Sequence, residues 1–198
     1  MRSAPQVSKV AVLGEDYLGL KPRLSVQEGD EVKAGDPIFA DKDMLEAKIV
    51  SPAAGFVKAI NRGARRKLVS VEIQIADDPD EAVDFSDIGD VGTREGVTER
   101  LCAAGLWTSF RTRPYSKIPQ PQTAPAALYI TATDTEPLAP NPADIISEEP
   151  EAFAKGVQAV SLLCEGTTYL CHETEAQLPR IDSDGVQAAA FSGPHPAG

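Results

Sequence analysis

The hydrophobic pattern changes its period after about residue 78, and no other feature of this 198-residue chain constrains its fold as strongly. Before that point, short apolar stretches are separated by turn-forming runs such as Glu28-Gly29-Asp30 and Gly35-Asp36-Pro37. The clearest strand, Leu68 to Ile75, alternates apolar with polar residues, so one of its faces should be buried. The residues expected on that face are Val69, Val71, Ile73 and Ile75. Many short strands within so few residues are typical of a small closed β structure.

Two Gly-centred turns in this first part of the chain echo each other. Val26 to Val32 and Ile60 to Arg66 each place a glycine turn between apolar strands. Such internal pseudo-symmetry is typical of the barrel-sandwich hybrid found in biotinyl and lipoyl carrier domains. We therefore predict a barrel-sandwich hybrid β domain over residues 1–78.

Residues 79–125 are interpreted as an acidic linker, a helix and a Pro-rich loop. The linker is rich in aspartate and poor in large apolar residues, which is typical of a solvated connection. Thr93 or a neighbour can cap a helix whose apolar residues recur at helical spacing until Gly105 ends it. This middle segment is predicted to connect two domains.

Residues 126–198 show the order strand, loop, helix, strand. Ala126–Thr131 is expected to be a strand buried on both faces, and Ser147 is expected to cap a helix with Pro150 in its first turn. Further strands are expected at Thr167–Cys171 and Val186–Phe191. This is a βαβ unit, so the prediction is a partial Rossmann-like parallel α/β domain. Because a parallel sheet of two or three strands seldom stands alone, the chain is expected to stop inside that domain.

An excess of acidic residues narrows the possible partners. The chain has 19 Lys and Arg against 30 Asp and Glu, which gives a net charge of −11. Such a chain is poorly suited to nucleic acid, whose binding depends on cations that neutralise phosphates, and to direct docking on anionic lipid headgroups. No apolar run approaches the roughly 20 residues of a membrane span, and Met1–Ser8 has no apolar signal core. We predict no nucleic-acid partner, no transmembrane segment and no secretion.

Three cysteines indicate a reducing compartment. Cys102, Cys164 and Cys171 are odd in number and form no Cys-x-x-Cys pair, so a disulfide framework is not expected. Together with His172, the last two match no spacing typical of zinc or iron–sulfur sites. Inert thiols are the expected outcome, and no metal site is predicted.

Nucleotide binding and catalysis find little support in the sequence. A dinucleotide site needs glycines in its first βα turn, so that the backbone can approach a pyrophosphate. The corresponding turn here has no glycine and carries Asp134 and Glu136, whose charges repel phosphate. His172 and His195 lie beside no recognisable Ser or Cys nucleophile motif. We predict no catalytic residue, and an independent flavin- or NADH-binding enzyme is disfavoured.

An arginine pair is the most distinctive polar feature. Arg111 and Arg113 alternate, so their guanidinium groups point the same way if the segment is extended. Two interpretations stay open: the pair holds an anion or stacks on a ring, or it binds carboxylates of this chain such as Asp134 and Glu136. The aromatic residues close to the pair in sequence are Trp107, Phe110 and Tyr115.

A carrier domain is the alternative for the first part of the chain. Biotinyl and lipoyl domains present a modified lysine at a hairpin tip, usually beside a methionine for biotin. The equivalent hairpin here is Lys42 to Glu46, in which Leu45 follows Met44 where a biotin acceptor would need lysine. Lys42 and Lys48 are expected to be off register, so a charged β scaffold is favoured over a modified carrier.

Seven blocks of sequence, taken in order, carry a resemblance to a known family. They are Val12–Pro22, Glu28–Lys33, Ser51–Gly55, Ile60–Arg66, Gly105–Lys117, Thr133–Ala139 and Ser192–Gly198. Together they resemble the A subunits of the sodium-translocating NADH:quinone reductases, through nearly the whole chain. The C subunit of the Rnf electron-transport complex and the NADH-binding subunit of respiratory complex I are more distant, and both have flavin, nucleotide or iron–sulfur motifs that this chain lacks. An accessory subunit of an Rnf-type complex is the remaining alternative.

The resemblance implies a peripheral subunit on the cytoplasmic face of a bacterial inner membrane, within a complex that passes electrons from NADH to ubiquinone and exports sodium. It implies that FAD, FMN, riboflavin and an iron–sulfur centre belong to partner subunits, and that this chain binds no cofactor itself. It further implies that the chain is a fragment without the family's extreme N-terminus and C-terminal half. The residues expected to be quinone-proximal or anion-binding are Trp107, Arg111, Arg113, Tyr115, Asp134, Thr135 and His195.

Overall fold

A computed structural model describes residues 7–17, 19–76 and 81–197. The chain divides into two compact units. Unit 1 comprises residues 1–89 and 98–121, and unit 2 comprises residues 90–97 and 122–198. The domain boundaries at residues 78 and 125 stay a prediction from the sequence.

Unit 1 is built from short antiparallel strands. In its described part these are β1 (Lys9–Leu13), β2 (Pro22–Leu24), β3 (Glu31–Val32), β4 (Pro37–Asp41), β5 (Met44–Val50), β6 (Gly55–Arg62) and β7 (Leu68–Ile75). One sheet has the strand order β1-β7-β6-β3 and the other has the order β2-β4-β5. The expected barrel-sandwich hybrid is confirmed.

Both sheets contribute side chains to one core. Ile38 and Phe39 of β4 and Ile73 of β7 are fully buried, and the ring of Tyr17 meets Phe39 edge-on with 5.7 Å between centroids. Burial of each large apolar side chain contributes about 1.5–3 kcal/mol. The remaining buried members are Val12, Val32, Ile49, Val57, Leu68 and Val71. Apolar residues from nearly every strand of unit 1 therefore close its core.

The alternation predicted along β7 is only partly correct. Val71 and Ile73 are buried as expected, but Val69 is 43% exposed. The register between β6 and β7 shifts at this point, because Asn61 pairs with Ser70 while the next residue pairs with Leu68. Val69 is therefore the extra residue of a bulge in β7, and the side chain of Leu68 is buried in the core in its place.

Helix α1 (Arg94–Ala103) follows, and it begins as the sequence predicts. The hydroxyl oxygen of Thr93 accepts a hydrogen bond from the Gly96 backbone N–H at 3.1 Å, which is an N-cap. Gly105, just past the helix, adopts a φ of +76°, a conformation that favours glycine. A Cβ at Gly105 would also lie 2.7 Å from a methyl carbon of Val50, so this position requires glycine for two reasons.

Unit 2 contains a three-stranded parallel sheet. Its described elements are β8 (Ala127–Ala132), α2 (Pro142–Glu148), α3 (Pro150–Ser161), β9 (Thr167–Glu173) and β10 (Val186–Phe191). The strand order is β10-β9-β8, and both pairings are parallel. The predicted parallel α/β domain is therefore confirmed.

Two local predictions in unit 2 are wrong. Ser147 does not cap α3 but lies inside the additional helix α2, where its hydroxyl donates to the Asp144 carbonyl. Asn141 caps α2, because its side-chain oxygen accepts from the Ala143 N–H at 2.9 Å. Strand β8 is not buried on both faces, since Tyr129 is 64% exposed and stacks on Tyr169 of β9.

Candidate functional site

Trp107 is an anchor of unit 1 and not an exposed ring. It is 3% exposed, and its indole N–H donates to the Pro119 carbonyl at 2.8 Å. The Phe110 ring packs against it at a steep angle, with 5.1 Å between centroids. Trp107 therefore fixes the segment that leads into the arginine pair.

Arg111 binds backbone carbonyls. Its Nη1 donates to the Thr108 carbonyl and, at 2.8 Å, to the Phe110 carbonyl, so it closes the short turn Trp107–Ser109. The charge of Arg111 also acts on Tyr17: burial raises the pKa of that phenol, Asp16 raises it further, and Arg111 partly offsets both effects. The hydrogen bonds of Arg111 in the described part of the chain go to these carbonyl oxygens, and both interpretations of the arginine pair stay predictions.

Arg111 precedes a turn on which Arg113 lies. The Thr112 N–H donates to the Lys117 carbonyl and the Ser116 N–H donates to the Thr112 carbonyl, both at 2.8 Å, so the backbone from Thr112 to Lys117 is folded into a turn. Arg113 is exposed on this turn, and Tyr115 beside it is 76% exposed. The structure therefore separates the buried ring of Trp107 from an exposed tip that carries Arg113 and Tyr115.

The other predicted site residues lie in unit 2, at the carboxyl edge of the parallel sheet. Thr135 follows β8 and His195 follows β10, and Oγ1 of Thr135 lies 3.3 Å from Nδ1 of His195. Asp134 accepts the Glu136 N–H at 2.9 Å, which shapes the loop after β8. Ligands of parallel α/β sheets bind at this edge. The structure brings these predicted residues together there.

A cleft in unit 2 was missed from the sequence. It has a volume of about 320 Å³ and lies against β9 and β10, beside Leu170, His172 and Ala188. The irregular segment between the two strands, including Leu178 and Ile181, forms its other wall. This segment has no hydrophobic period, so no sequence signal places it over the sheet. The lining offers hydrophobic contact, the imidazole of His172 and the guanidinium of Arg180.

The hairpin relevant to a carrier function is tighter than expected. Asp41 pairs with Met44, so Lys42 and Asp43 form a two-residue tip. Lys42 is exposed at that tip, whereas the Lys48 ammonium group donates to the Leu45 carbonyl within β5. The register of Lys42 relative to a carrier lysine stays a prediction.

The thiols show no arrangement suited to a metal. Burial raises the pKa of Cys102 to about 12, and the Cys164 thiol donates to the Pro125 carbonyl at 3.4 Å. Across the described ranges, no group of three or more His, Cys, Asp and Glu side chains could hold a metal ion. Likewise, none of the helices in the described part is long and apolar enough to cross a bilayer.

Three curated relatives illustrate how similar the chain is to known proteins, and each is named as the A subunit of a Na(+)-translocating NADH-quinone reductase. The one from Saccharophagus degradans is 44% identical over 202 aligned residues, covering 100% of this chain and 45% of the relative. The one from Rhodopirellula baltica is 39% identical, and the alignment covers 100% of this chain and 44% of the relative. The one from Vibrio anguillarum is 43% identical, and the alignment covers 97% of this chain and 43% of the relative. The chain spans less than half the length of these relatives.

Two family models match the chain, one over its first part and one over its second. The model described as the NqrA N-terminal barrel-sandwich hybrid domain matches residues 1–76. The model described as the NqrA second alpha/beta domain matches residues 92–198, which is more than half of the sequence. The fold of each part agrees with the description of its model. The chain therefore belongs to the NqrA family, the A subunits of the Na(+)-translocating NADH-quinone reductases.

Proposed function

We propose that the chain forms the first two domains of a peripheral subunit of a sodium-pumping NADH:ubiquinone oxidoreductase. Its membership of the NqrA family supports this role, since the curated relatives carry that subunit's name. In this proposal the complex oxidises NADH, reduces ubiquinone and exports sodium, while this chain contributes docking and support. Its place is the cytoplasmic face of the bacterial inner membrane.

The residues present do not fit FAD or an iron–sulfur centre, and we assign both of these, together with FMN and riboflavin, to partner subunits. The turn after β8 offers Asp134 and Glu136 instead of glycines, and these carboxylates oppose a pyrophosphate. Iron–sulfur ligation needs thiolates, and burial holds the Cys102 thiol in its neutral form at physiological pH. No step of electron transfer is therefore assigned to this chain.

One observation supports a quinone-proximal surface in unit 1. The exposed ring of Tyr115 and the exposed guanidinium of Arg113 lie close in sequence to the buried side chain of Trp107. Tyr115 and Arg113 lie on the turn closed by Thr112 and Lys117, and Trp107 fixes the chain that leads to it. A quinone ring can stack on the phenol face while a guanidinium donates to a quinone carbonyl oxygen. The exposed tip with Arg113 and Tyr115, in the segment that runs from Trp107 to Tyr115, is therefore the proposed quinone-proximal region.

The test is the double variant Arg113→Ala with Tyr115→Ala in the assembled complex. We expect slower quinone reduction and unchanged NADH oxidation with an artificial electron acceptor. Arg111→Ala is made separately, because Arg111 supports the local backbone and its loss should also disturb the turn. Arg23→Ala, at an exposed position of β2, is the matched control. Equal loss of both activities, or of neither, removes the quinone-proximal role.

A second candidate function is a carrier module, which the tip position of Lys42 favours. Lysines that carry biotinyl or lipoyl groups stand on such tips, with the side chain free to swing. The mass of the intact protein, isolated from its own host, shows whether a lysine carries a biotinyl or lipoyl group. A mass increase equal to one cofactor that disappears in Lys42→Arg supports a carrier, and an unmodified mass excludes it.

A further inference from the structure

The turn between β6 and β7 concentrates positive charge in an acidic chain. Residues 62–67, named here the basic turn, contain four of the 19 Lys and Arg residues. The wider stretch from Phe56 to Val71 contains no acidic residue, although the chain as a whole has a net charge of −11. Every residue of the basic turn is exposed. The turn is thus a compact cationic patch.

Two of its four cations have contacts within the chain. Lys67 forms an ion pair with Glu15 at 2.9 Å, and Nη1 of Arg62 donates to the Arg66 carbonyl at 3.1 Å. The guanidinium groups of Arg65 and Arg66 form no hydrogen bond or ion pair with the residues that the structure describes. Their charges face solvent, available to another molecule.

The backbone of the basic turn does not explain why these residues are arginines. Arg65 and Arg66 have φ values of 55° and 63°, which lie in the left-handed region. That region favours glycine and asparagine over long side chains. The Gly63 N–H donates to the Lys67 carbonyl at 2.8 Å, so the conformation is closed by backbone groups that any residue supplies. Two arginines occupy positions where other residues would fold more easily.

Apolar side chains border the cations. Val69, in the bulge of β7, is 43% exposed, and a Cβ at Gly63 would lie 3.2 Å from one of its methyl carbons. Leu13, at the end of β1, is 44% exposed and pairs with Ser70, the residue after Val69. Arginine is enriched in protein–protein interfaces, and the apolar side chains beside it offer further area that a partner can bury.

We propose that the basic turn docks on a carboxylate-rich surface of a partner protein. The proposal rests on the proposed function in one respect, because it takes that partner to be another subunit of the same complex. Planar guanidinium groups match carboxylates in bidentate geometry, and a turn held by its own backbone bonds presents them in a fixed direction. An anionic bilayer is the poorer match, because it would repel the rest of an acidic chain.

The test removes charge without disturbing the turn. Arg65→Asn with Arg66→Asn places at both positions a residue that tolerates positive φ, so the urea midpoint should stay equal or rise. In the natural full-length protein, we expect binding to the complex purified without this subunit to weaken by about tenfold or more. We also expect a smaller loss of affinity with added NaCl than in the wild type. Arg23→Asn with Arg180→Asn, the same change of charge at exposed positions, should bind like the wild type.

Three results would overturn the proposal. Equal affinity of the Arg65/Arg66 variant and the wild type would show that the basic turn contacts nothing, while the proposed function would stand. Sedimentation of the wild type, but not the variant, with phosphatidylglycerol vesicles in the absence of partner subunits would make the membrane the docking surface. Failure of the wild type itself to bind the complex would remove the proposed function and this partner together.

Discussion

Thr135 and His195 contact each other from loops that leave the two outer strands of the parallel sheet. Thr135 follows β8 in the sequence and His195 follows β10. The distance from Oγ1 of Thr135 to Nδ1 of His195 is 3.3 Å. Strand β9 lies between these strands, so the contact passes over the carboxyl end of the central strand. It joins the two loops at the edge where ligands of such sheets bind.

This contact should contribute measurably to the stability of unit 2. We expect Thr135→Val to lower the free energy of unfolding by about 0.5–1.5 kcal/mol, towards the low end because both side chains are accessible to water. Urea unfolding of Thr135→Val, His195→Ala and the double variant measures the coupling between the residues. Strict additivity of the two single changes would show that the contact contributes nothing.

The sequence predicted both residues of this contact but not the contact itself. Parallel pairing follows from the order strand, helix, strand, and it places the loops after β8 and β10 at one edge of the sheet. That Thr135 meets His195 depends on the loop after β10 reaching across β9, and no local pattern encodes this. The family resemblance named both blocks without relating them.

Sequence patterns lose their meaning where the local backbone departs from the regular geometry that they assume. The bulge at Val69 passes its inward position to Leu68, because strand alternation holds only while the register is unbroken. The common direction of Arg111 and Arg113 required an extended segment, whereas backbone hydrogen bonds fold residues 112–117, and Arg113 with them, into a turn. In each case the deciding contacts come from residues beyond the pattern.

Trp107 should be both a stabilising residue and a spectroscopic reporter. As the only tryptophan of the chain and 3% exposed, it should emit at short wavelength when folded and shift to longer wavelength on unfolding. We expect Trp107→Phe to lower the free energy of unfolding by about 1–3 kcal/mol, because the change leaves the Pro119 carbonyl without its indole donor. Circular dichroism in urea measures this. Tyr115→Phe, at an exposed position, should change stability by less than about 0.5 kcal/mol.

Two glycines should respond to alanine in opposite directions. A Cβ at Gly55 would lie 2.0 Å from the Gln74 carbonyl oxygen, a backbone atom of the paired strand β7, so Gly55→Ala should destabilise by about 1–3 kcal/mol. Gly156 lies within α3 and a Cβ there would meet nothing within 4 Å, so Gly156→Ala should stabilise by about 0.5–1 kcal/mol. Urea midpoints of both variants test this, and a shift in the same direction would contradict it.

Glu72 should make the stability of unit 1 depend on pH in the acid range. The pKa of Glu72 is lowered from its ordinary value of 4.5, first by the hydrogen bond from Lys9 and then by that from Asn61. Because the pKa of Glu72 is lower in the folded state than in the unfolded state, its ionised carboxylate stabilises the fold. That stabilisation is fully present above about pH 4.5 and is lost as the pH falls through the pKa of the folded state. Glu72→Gln should therefore lower the urea midpoint at pH 7 more than at pH 3, which flattens the pH profile. Glu99→Gln is the same change at an exposed position of α1, and it should leave the pH profile of stability as in the wild type. If Glu99→Gln flattens the profile as much as Glu72→Gln does, the effect comes from net charge and not from the contacts of Glu72.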